Sequence, residues 1–575
     1  MPFINIYMSA VIINGITEKQ SLEMLLIYVG TMVGLNLLCM SISSIVDKAV
    51  NLKQNCLLTQ YNWHLNKKML ELSYADVESY GIHALKEKIN QMQNVNGMGL
   101  WNLINPIKSI VQSIFSVLFA ITIIFPLFIT NSTVNTSNTI INIFCSPWIS
   151  AVLFILILMN IFVNIFTVSQ STKKVFAAFA GLVPANQVYT YYLENYIDTY
   201  HSGKDIRLYN QRPLVNKEMN NLITSNKRPM TQLKNIEFKY TGISSASTAI
   251  INMFIYLTIG IKALSGIISI GSIVQYIGGI TQFITGLTTT VSQFTLLNQN
   301  VEALEIVLLF LDKKSSFRQG TKETGNPKSI QIKFENVSFT YPDTKAPVLK
   351  NINLQIHPLE KIAVVGMNGS GKTTLIKLLC RMYETDEGNI FINSTNIEEF
   401  DIHQYQNLFS VVFQDFQLFS FGLGQNVAAS EKFDAQKAIS ALEKVGFSKR
   451  LEGMDLNTPL YKDFDPNGVE ISGGEAQKIA FARAWYKDAP ILVLDEPTAA
   501  LDPQSEYNIY KNLNDLAKNK TAIFISHRMS SCRFCDRILV IDHGRLVQDG
   551  SYEDLMKNVN GKFYELWHAQ EQHYS

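Results

Sequence analysis

Between residues 109 and 170 the chain carries no Asp, Glu, Lys or Arg, and between 241 and 301 its one charged residue is Lys262. Uncharged runs of that length belong in hydrocarbon, and a helix crossing a core of about 30 Å needs about 20 apolar residues. Spanning helices are therefore expected near 23–46, 107–129, 147–168, 244–263 and 268–295. This is preferred to burial of the same helices in a large soluble core. Over all 575 residues the charged fraction is 17%, against roughly 25% in ordinary soluble chains. The near-neutral total conceals a division, with an excess of Lys and Arg before residue 325 and an excess of Asp and Glu after it. Two parts in two environments follow.

Loop charge orients the first part. Lys48, Lys53, Lys67, Lys68, Lys86 and Lys88 lie between 47 and 104, ten Lys and Arg lie between 169 and 245, and none lies between 130 and 146. The two basic segments are expected to be cytoplasmic and helical. The amino terminus has no basic n-region or small-residue cleavage pattern, so no cleavable signal is expected. The polar residues within the spans are neutral, among them Asn160, Asn164, Asn252, Gln275, Gln282 and Gln293. An ion-coupled carrier usually keeps ionisable groups at mid-membrane, so the energy is expected from elsewhere. Gly30 and Gly34 form a small-xxx-small pair suited to helix packing. No block of five or six like charges occurs, which disfavours a nucleic-acid partner. The six cysteines are scattered and fit a reducing compartment; Cys532 and Cys535, flanked by His527 and His543, are read as packing residues in preference to a zinc site.

Residues 312–329, rich in Lys, Ser, Gly and Thr, read as a linker, after which the pattern changes. Residues 330–339 alternate as a strand, 361–365 form a short buried strand, and 373–382 have helical period. Between the last two lies Gly366-Met-Asn-Gly-Ser-Gly371-Lys372-Thr373, a phosphate-binding loop in its confirming strand–helix context. Its glycines let the backbone curl and aim N–H groups at phosphate, Lys372 supplies charge at the β and γ phosphates, and the Thr373 hydroxyl suits Mg²⁺. The apolar run 491–494 ends in Asp495 and Glu496. Asp495 is expected on Mg²⁺ and Glu496, pointing to the other side of the strand, on the attacking water.

The stretch Ile471-Ser472-Gly473-Gly474-Glu475-Ala476-Gln477, with the phosphate loop, Asp495, Glu496 and His527, resembles the ATPase domain of ABC transporters. The resemblance implies a signature acting in trans, Ser472, Gly473, Gly474 and Glu475, whose serine and glycines meet the γ-phosphate bound by the opposite subunit. It implies that Tyr341 stacks on adenine, Gln414 contacts Mg²⁺, Asp502 belongs to the loop communicating across the dimer, and His527 contacts γ-phosphate. The implied ATP-binding set is Tyr341, Gly366, Asn368, Gly369, Ser370, Gly371, Lys372, Thr373, Thr374 and Gln414; the metal set is Thr373, Gln414 and Asp495; Glu496 and His527 are catalytic. Two departures stand out: Glu475 replaces the usual Gln, and Asn467-Gly-Val-Glu470 is only loosely like the segment preceding the family's signature. The membrane half also resembles the family's exporters, with Ser73-Tyr-Ala-Asp-Val-Glu78 and Ser202-Gly-Lys-Asp-Ile-Arg-Leu-Tyr209 falling where two coupling helices would be.

The expected architecture is multidomain: an all-α transmembrane bundle of the ABC exporter type over 1–311, a linker over 312–329, and a P-loop α/β ATPase domain over 330–575. The expected activity is ATP- and Mg²⁺-dependent export by a dimer working through alternating access, with a peptide or other amphipathic compound as substrate. A homodimer is favoured over a heterodimer. Import on the exporter fold, or ATP-driven gating without transport, are the alternatives. The bilayer is expected to be a bacterial plasma membrane, with the ATPase domain cytoplasmic. Residues 1–14 are apolar but as a helix reach only about 21 Å, so the first span is expected to begin upstream or to be short.

Overall fold

The structure is a computed structural model that describes residues 2–96, 98–129, 139–144, 146–180, 188–197, 200–325, 329–496, 515–526 and 529–574. The chain forms two compact units, Met1–Leu70 with Gly81–Lys313, and Glu71–Tyr80 with Lys314–Ser575.

The first unit is helical: α1 (Pro2–Thr17), α2 (Leu22–Glu71), α4 (Tyr80–Asn96), α5 (Trp101–Ile129), α6 (Thr139–Phe144), α7 (Pro147–Ala180), α8 (Tyr200–Leu208), α9 (Arg212–Leu264) and α10 (Ile270–Leu311), with the short α3 (Tyr74–Glu78) set between α2 and α4 in the chain. Five of these, α2, α5, α7, α9 and α10, are long and apolar enough to cross a membrane. Four of them, α5, α7, α9 and α10, meet through Ile124, Ile157, Ile161, Ile255, Ile259, Ile280 and Ile284. The 16-residue α1 rises about 24 Å and lies against α10.

Glycine sets that last contact. A Cβ on Gly271 would lie 2.1 Å from the Ala10 carbonyl oxygen, and one on Gly278 would lie 2.8 Å from the Ile6 side chain. The Gly271 N–H donates to Asn14 Oδ1 at 2.8 Å. Gly30 and Gly34, the pair singled out in the sequence, face open space within the chain. The packing glycines are on α10 because α1 reaches that helix, whereas the apolar part of α2 is unburied.

Two mid-span amides are glue between helices. Asn160 and Asn164 on α7 are buried; Asn160 Nδ2 donates to Ser247 Oγ at 2.9 Å, Asn164 Nδ2 donates to Asn160 Oδ1 at 2.9 Å, and the Ser244 hydroxyl donates to Asn164. Interhelical hydrogen bonds of this kind hold membrane helices in register where apolar burial gives no preference.

The second unit carries two sheets. One is antiparallel, in the order β2 (Leu349–Ile356), β1 (Ile332–Phe339), β4 (Glu387–Ile392), β5 (Thr395–Asn396). The other has the order β10 (Arg545–Gly550), β9 (Arg537–Asp542), β3 (Lys361–Val365), β8 (Thr521–Ile525), β7 (Ile491–Asp495), β6 (Phe409–Val412), parallel except for β10. Its inner strands are uninterrupted apolar runs, as strands buried on both faces must be. Helix α11 (Lys372–Leu379) packs with both sheets in one core, and α12 (Leu423–Ala428), α13 (Ala435–Lys444) and α14 (Gly473–Lys487) form a second core on the other side of β7. Cys532 is buried with Ile538, Val540 and Phe563, and Cys535 packs at the edge of that group.

The segment Glu71–Tyr80 belongs to this second unit. Ala75 packs against the core between the sheets, Ser316 N–H donates to Asp76 Oδ2 at 2.9 Å, and Tyr80 N–H donates to Asp343 Oδ2 at 3.2 Å.

Candidate active site

The loop 366–373 is folded as the sequence pattern requires, leaving β3 and entering α11. A Cβ on Gly366 would stand 2.1 Å from the Ile541 carbonyl oxygen. Gly371 has φ +107°, and a Cβ there would be 2.7 Å from Leu349. The turn after β9 braces the loop from outside, with Gly544 N–H donating to Ser370 O at 3.1 Å. Lys372 is buried and donates to the carbonyls of Gly366 and Met367, both at 3.0 Å. Burial pulls its pKa down, while Glu496 and Asp495 act in the opposite direction.

A cavity of about 530 Å³ opens over this loop, lined by Tyr341, Val348, Asn368, Gly369, Gly371, Lys372, Thr373, Thr374, Gln414 and Glu496. Only Val348 among them was not anticipated, because a residue contributing bulk carries no motif. Tyr341 is fixed at one end by a hydrogen bond between its hydroxyl and Thr374 Oγ1 at 3.0 Å. Gln414 Nε2 donates to Glu496 Oε2 at 2.9 Å. Glu496 has φ +48°, so the alternation of the strand ends at Asp495 and the expected placement of Glu496 on the opposite strand face does not hold. Its N–H is held by the Ile525 carbonyl at 3.0 Å.

Asp495 is 1% exposed, and among the described residues neither carboxylate oxygen meets a hydrogen-bond donor in good geometry. Burial raises its pKa to about 6, with Glu496 and Asp415 adding to the rise and Thr373 and Lys372 opposing it. An orphaned buried carboxylate beside a threonine hydroxyl at the end of a phosphate loop suits a hard divalent cation. The residues present therefore fit Mg²⁺, with Asp495, Thr373 and the Gln414 amide oxygen as the donor set, and the ion would offset negative charge on bound phosphates.

Ser472 caps α14: its Oγ accepts from Glu475 N–H at 3.3 Å, while Ser472 N–H donates to Glu475 Oε2 at 2.9 Å. Arg450 pairs with Glu475 at 3.3 Å. Burial works against the Glu475 charge, but the Ser472 hydrogen bonds and Arg450 outweigh it and lower the pKa. Gly473 is exposed, and a Cβ there would meet nothing, so the fold of the single chain does not demand glycine at that position. None of Ser472, Gly473, Gly474 or Glu475 lines the cavity. Asp502 and His527 lie outside the described residues.

Residues 349–499 match the family pattern described as ABC transporter. This part of the chain belongs to the ABC transporter family. The chain is 27% identical to the subtilin transport ATP-binding protein SpaT of Bacillus subtilis over 97% of its own length and 87% of that protein's. It is 35% identical to an ATP-dependent lipid A-core flippase of Methylobacillus flagellatus over 49% of its length and 48% of the flippase. A solved bacterial Atm1-family ABC exporter with ATP bound shares its fold, with a TM-score of 0.62, 19% identity, and coverage of 99% of this chain and 95% of the other. The transporter is thus a multi-pass membrane protein with a cytoplasmic ATPase domain, coupling ATP hydrolysis with Mg²⁺ to export.

Proposed function

We propose that two copies of this chain form a homodimeric exporter of a peptide, each ATP being held between the cavity of one copy and the capped α14 terminus of the other. The observation carrying this reading is the separation of the signature from the cavity within one chain. Ser472 and Gly473 are exposed at the start of a 15-residue helix, whose dipole favours an anion, yet they do not line the cavity holding the phosphate loop. A second chain supplies the missing half.

In this reading Gly366, Asn368, Gly369, Ser370, Gly371 and Lys372 cradle the phosphates, and Tyr341 and Thr374 set the base end. Glu496, oriented by Gln414, takes the proton of the attacking water, and His527 and Asp502 serve the γ-phosphate and the dimer interface. The peptide assignment rests on the near full-length similarity to SpaT, whose name specifies subtilin transport. A heterodimer is the competing assembly.

Mixing full-length Lys372→Ala chains with Ser472→Arg chains tests the composite site. Each parent is expected to be nearly inactive, and the mixture to regain part of the ATPase activity through dimers with one intact site. Demonstrated mixed dimers without recovery would overturn the shared-site reading. Inverted vesicles given ATP should accumulate the exported peptide inside.

A further inference from the structure

Tyr383 follows α11, is 2% exposed, and packs against Tyr341, which lines the cavity. Its ring stands edge-on to Tyr341, with centroids 5.2 Å apart at 89°. Its other side stands edge-on to Tyr74 of α3, at 5.6 Å and 88°. Lys377 Nζ lies 5.6, 5.8 and 5.9 Å from the ring centroids of Tyr74, Tyr341 and Tyr383, so one ammonium is shared by all three rings. The Tyr383 hydroxyl donates to Glu78, at the far end of α3. Burial, followed by the Glu78 carboxylate, holds that hydroxyl far above the ordinary tyrosine pKa, so it stays a donor.

We infer that Tyr383 is a positioning residue that ties occupancy of the nucleotide's base site at Tyr341 to the seating of the Glu71–Tyr80 segment. The inference rests on the reading of Tyr341 as the base-stacking residue. A purine laid on the Tyr341 face restricts that ring, whose hydroxyl is already held by Thr374. Tyr383 has no room to turn independently, since it is buried between Tyr341, Phe339 and Tyr74. Restriction of one ring is therefore passed to the next, and from Tyr383 to both ends of α3 through Tyr74 and Glu78. The phosphate-binding residues meet this aromatic group through the Tyr341–Thr374 hydrogen bond and through Lys377 of α11, contacts already made without a base on the Tyr341 face. The segment is thus built to report the base.

The test is hydrogen exchange of the amides of residues 72–82 in the full-length transporter in lipid nanodiscs. A Ser472→Arg background disturbs the surface offered to a partner while leaving the chain's own cavity intact. Magnesium ATP is expected to slow exchange of these amides several-fold, and magnesium tripolyphosphate, which has phosphates but no base, to leave it near the unliganded rate. Tyr383→Leu should abolish the ATP response and Tyr383→Phe, which keeps the ring and loses the Glu78 hydrogen bond, should retain part of it. In parallel, Tyr341→Ala should weaken ATP binding about tenfold while sparing tripolyphosphate binding. Unchanged ATP affinity in Tyr341→Ala would overturn the base-stacking reading and the inference with it. If Tyr341→Ala does weaken ATP, then equal protection by tripolyphosphate and ATP, or an undiminished ATP response in Tyr383→Leu, overturns the inference alone. The comparison of the two ligands needs no Tyr383 variant, so it decides the matter even if Tyr383→Leu fails to fold.

Discussion

Glu496 occupies a left-handed backbone conformation that a residue with a Cβ adopts at some cost, and the Ile525 carbonyl holds it there. That placement puts its carboxylate in the cavity beside Gln414. Glu496→Gln keeps the shape and removes the base. Its ATP binding is expected to persist while turnover falls by about 10² or more, as for lost general-base assistance, measured as phosphate release by purified transporter. Hydrolysis near the parent rate would remove Glu496 from the role. Glu475 has the opposite character, because its carboxylate is occupied by the cap of its own helix. Glu475→Gln can still form a capping box, so thermal stability is expected to change little, whereas Glu475→Ala should cost about 1 kcal/mol through the lost cap. Equal melting temperatures for the Gln and Ala variants would show that the cap contributes nothing.

Two elements show how narrow contacts position long ones. Helix α1 lies on α10 only because Gly271 and Gly278 lack side chains. Gly271→Val would drive a branched carbon into the Ala10 carbonyl, and α1 is expected to detach; a cysteine-accessibility assay on α1 should show faster labelling than in the parent. Helix α3 is held at Asp76, whose charge burial opposes but hydrogen bonds from Ser73 and Ser316 favour, with the net effect of lowering its pKa. A depressed folded pKa means that this stabilisation is complete above the unfolded value, about 3.9, and is lost as pH falls through the lower folded value. Exchange of the 72–82 amides, corrected for intrinsic rate, should therefore rise below about pH 4. In Asp76→Asn the loosening should already be present at pH 7 and show no such step.

For the whole chain, the passage from α10 into the ATPase unit is fastened by one buried cation. Arg381 donates to the carbonyls of Phe400 at 2.8 Å and Arg318 at 2.5 Å, and lies 5.4 Å from the Phe317 ring centroid. Replacing it with Leu leaves the buried Phe400 carbonyl without this donor, and a loss of about 2 kcal/mol is expected, read as a fall in the melting temperature of the ATPase unit. No fall would mean that the strand of chain at 317–318 is held by other means.

What the sequence by itself determined are the features written in local order: where charge is absent, where a strand meets a glycine loop, where a carboxylate pair ends an apolar run. Those features are read from neighbours in the chain, and they sufficed for the five long helices, the phosphate loop and the carboxylate pair, whereas Tyr341 and Gln414 came from the family resemblance. Only the tertiary structure decided that Glu71–Tyr80 belongs with the ATPase unit, that Asn160 and Asn164 hold α7 to α9, and that the packing glycines are on α10. Tyr383 was likewise silent in the sequence, since its meaning comes from Tyr341 on one side and Tyr74 on the other. Periodicity tells which face of a helix is apolar but not what meets it. Partners hundreds of residues apart are chosen by packing and by the need to satisfy buried polar groups, and neither is visible until the chain has folded.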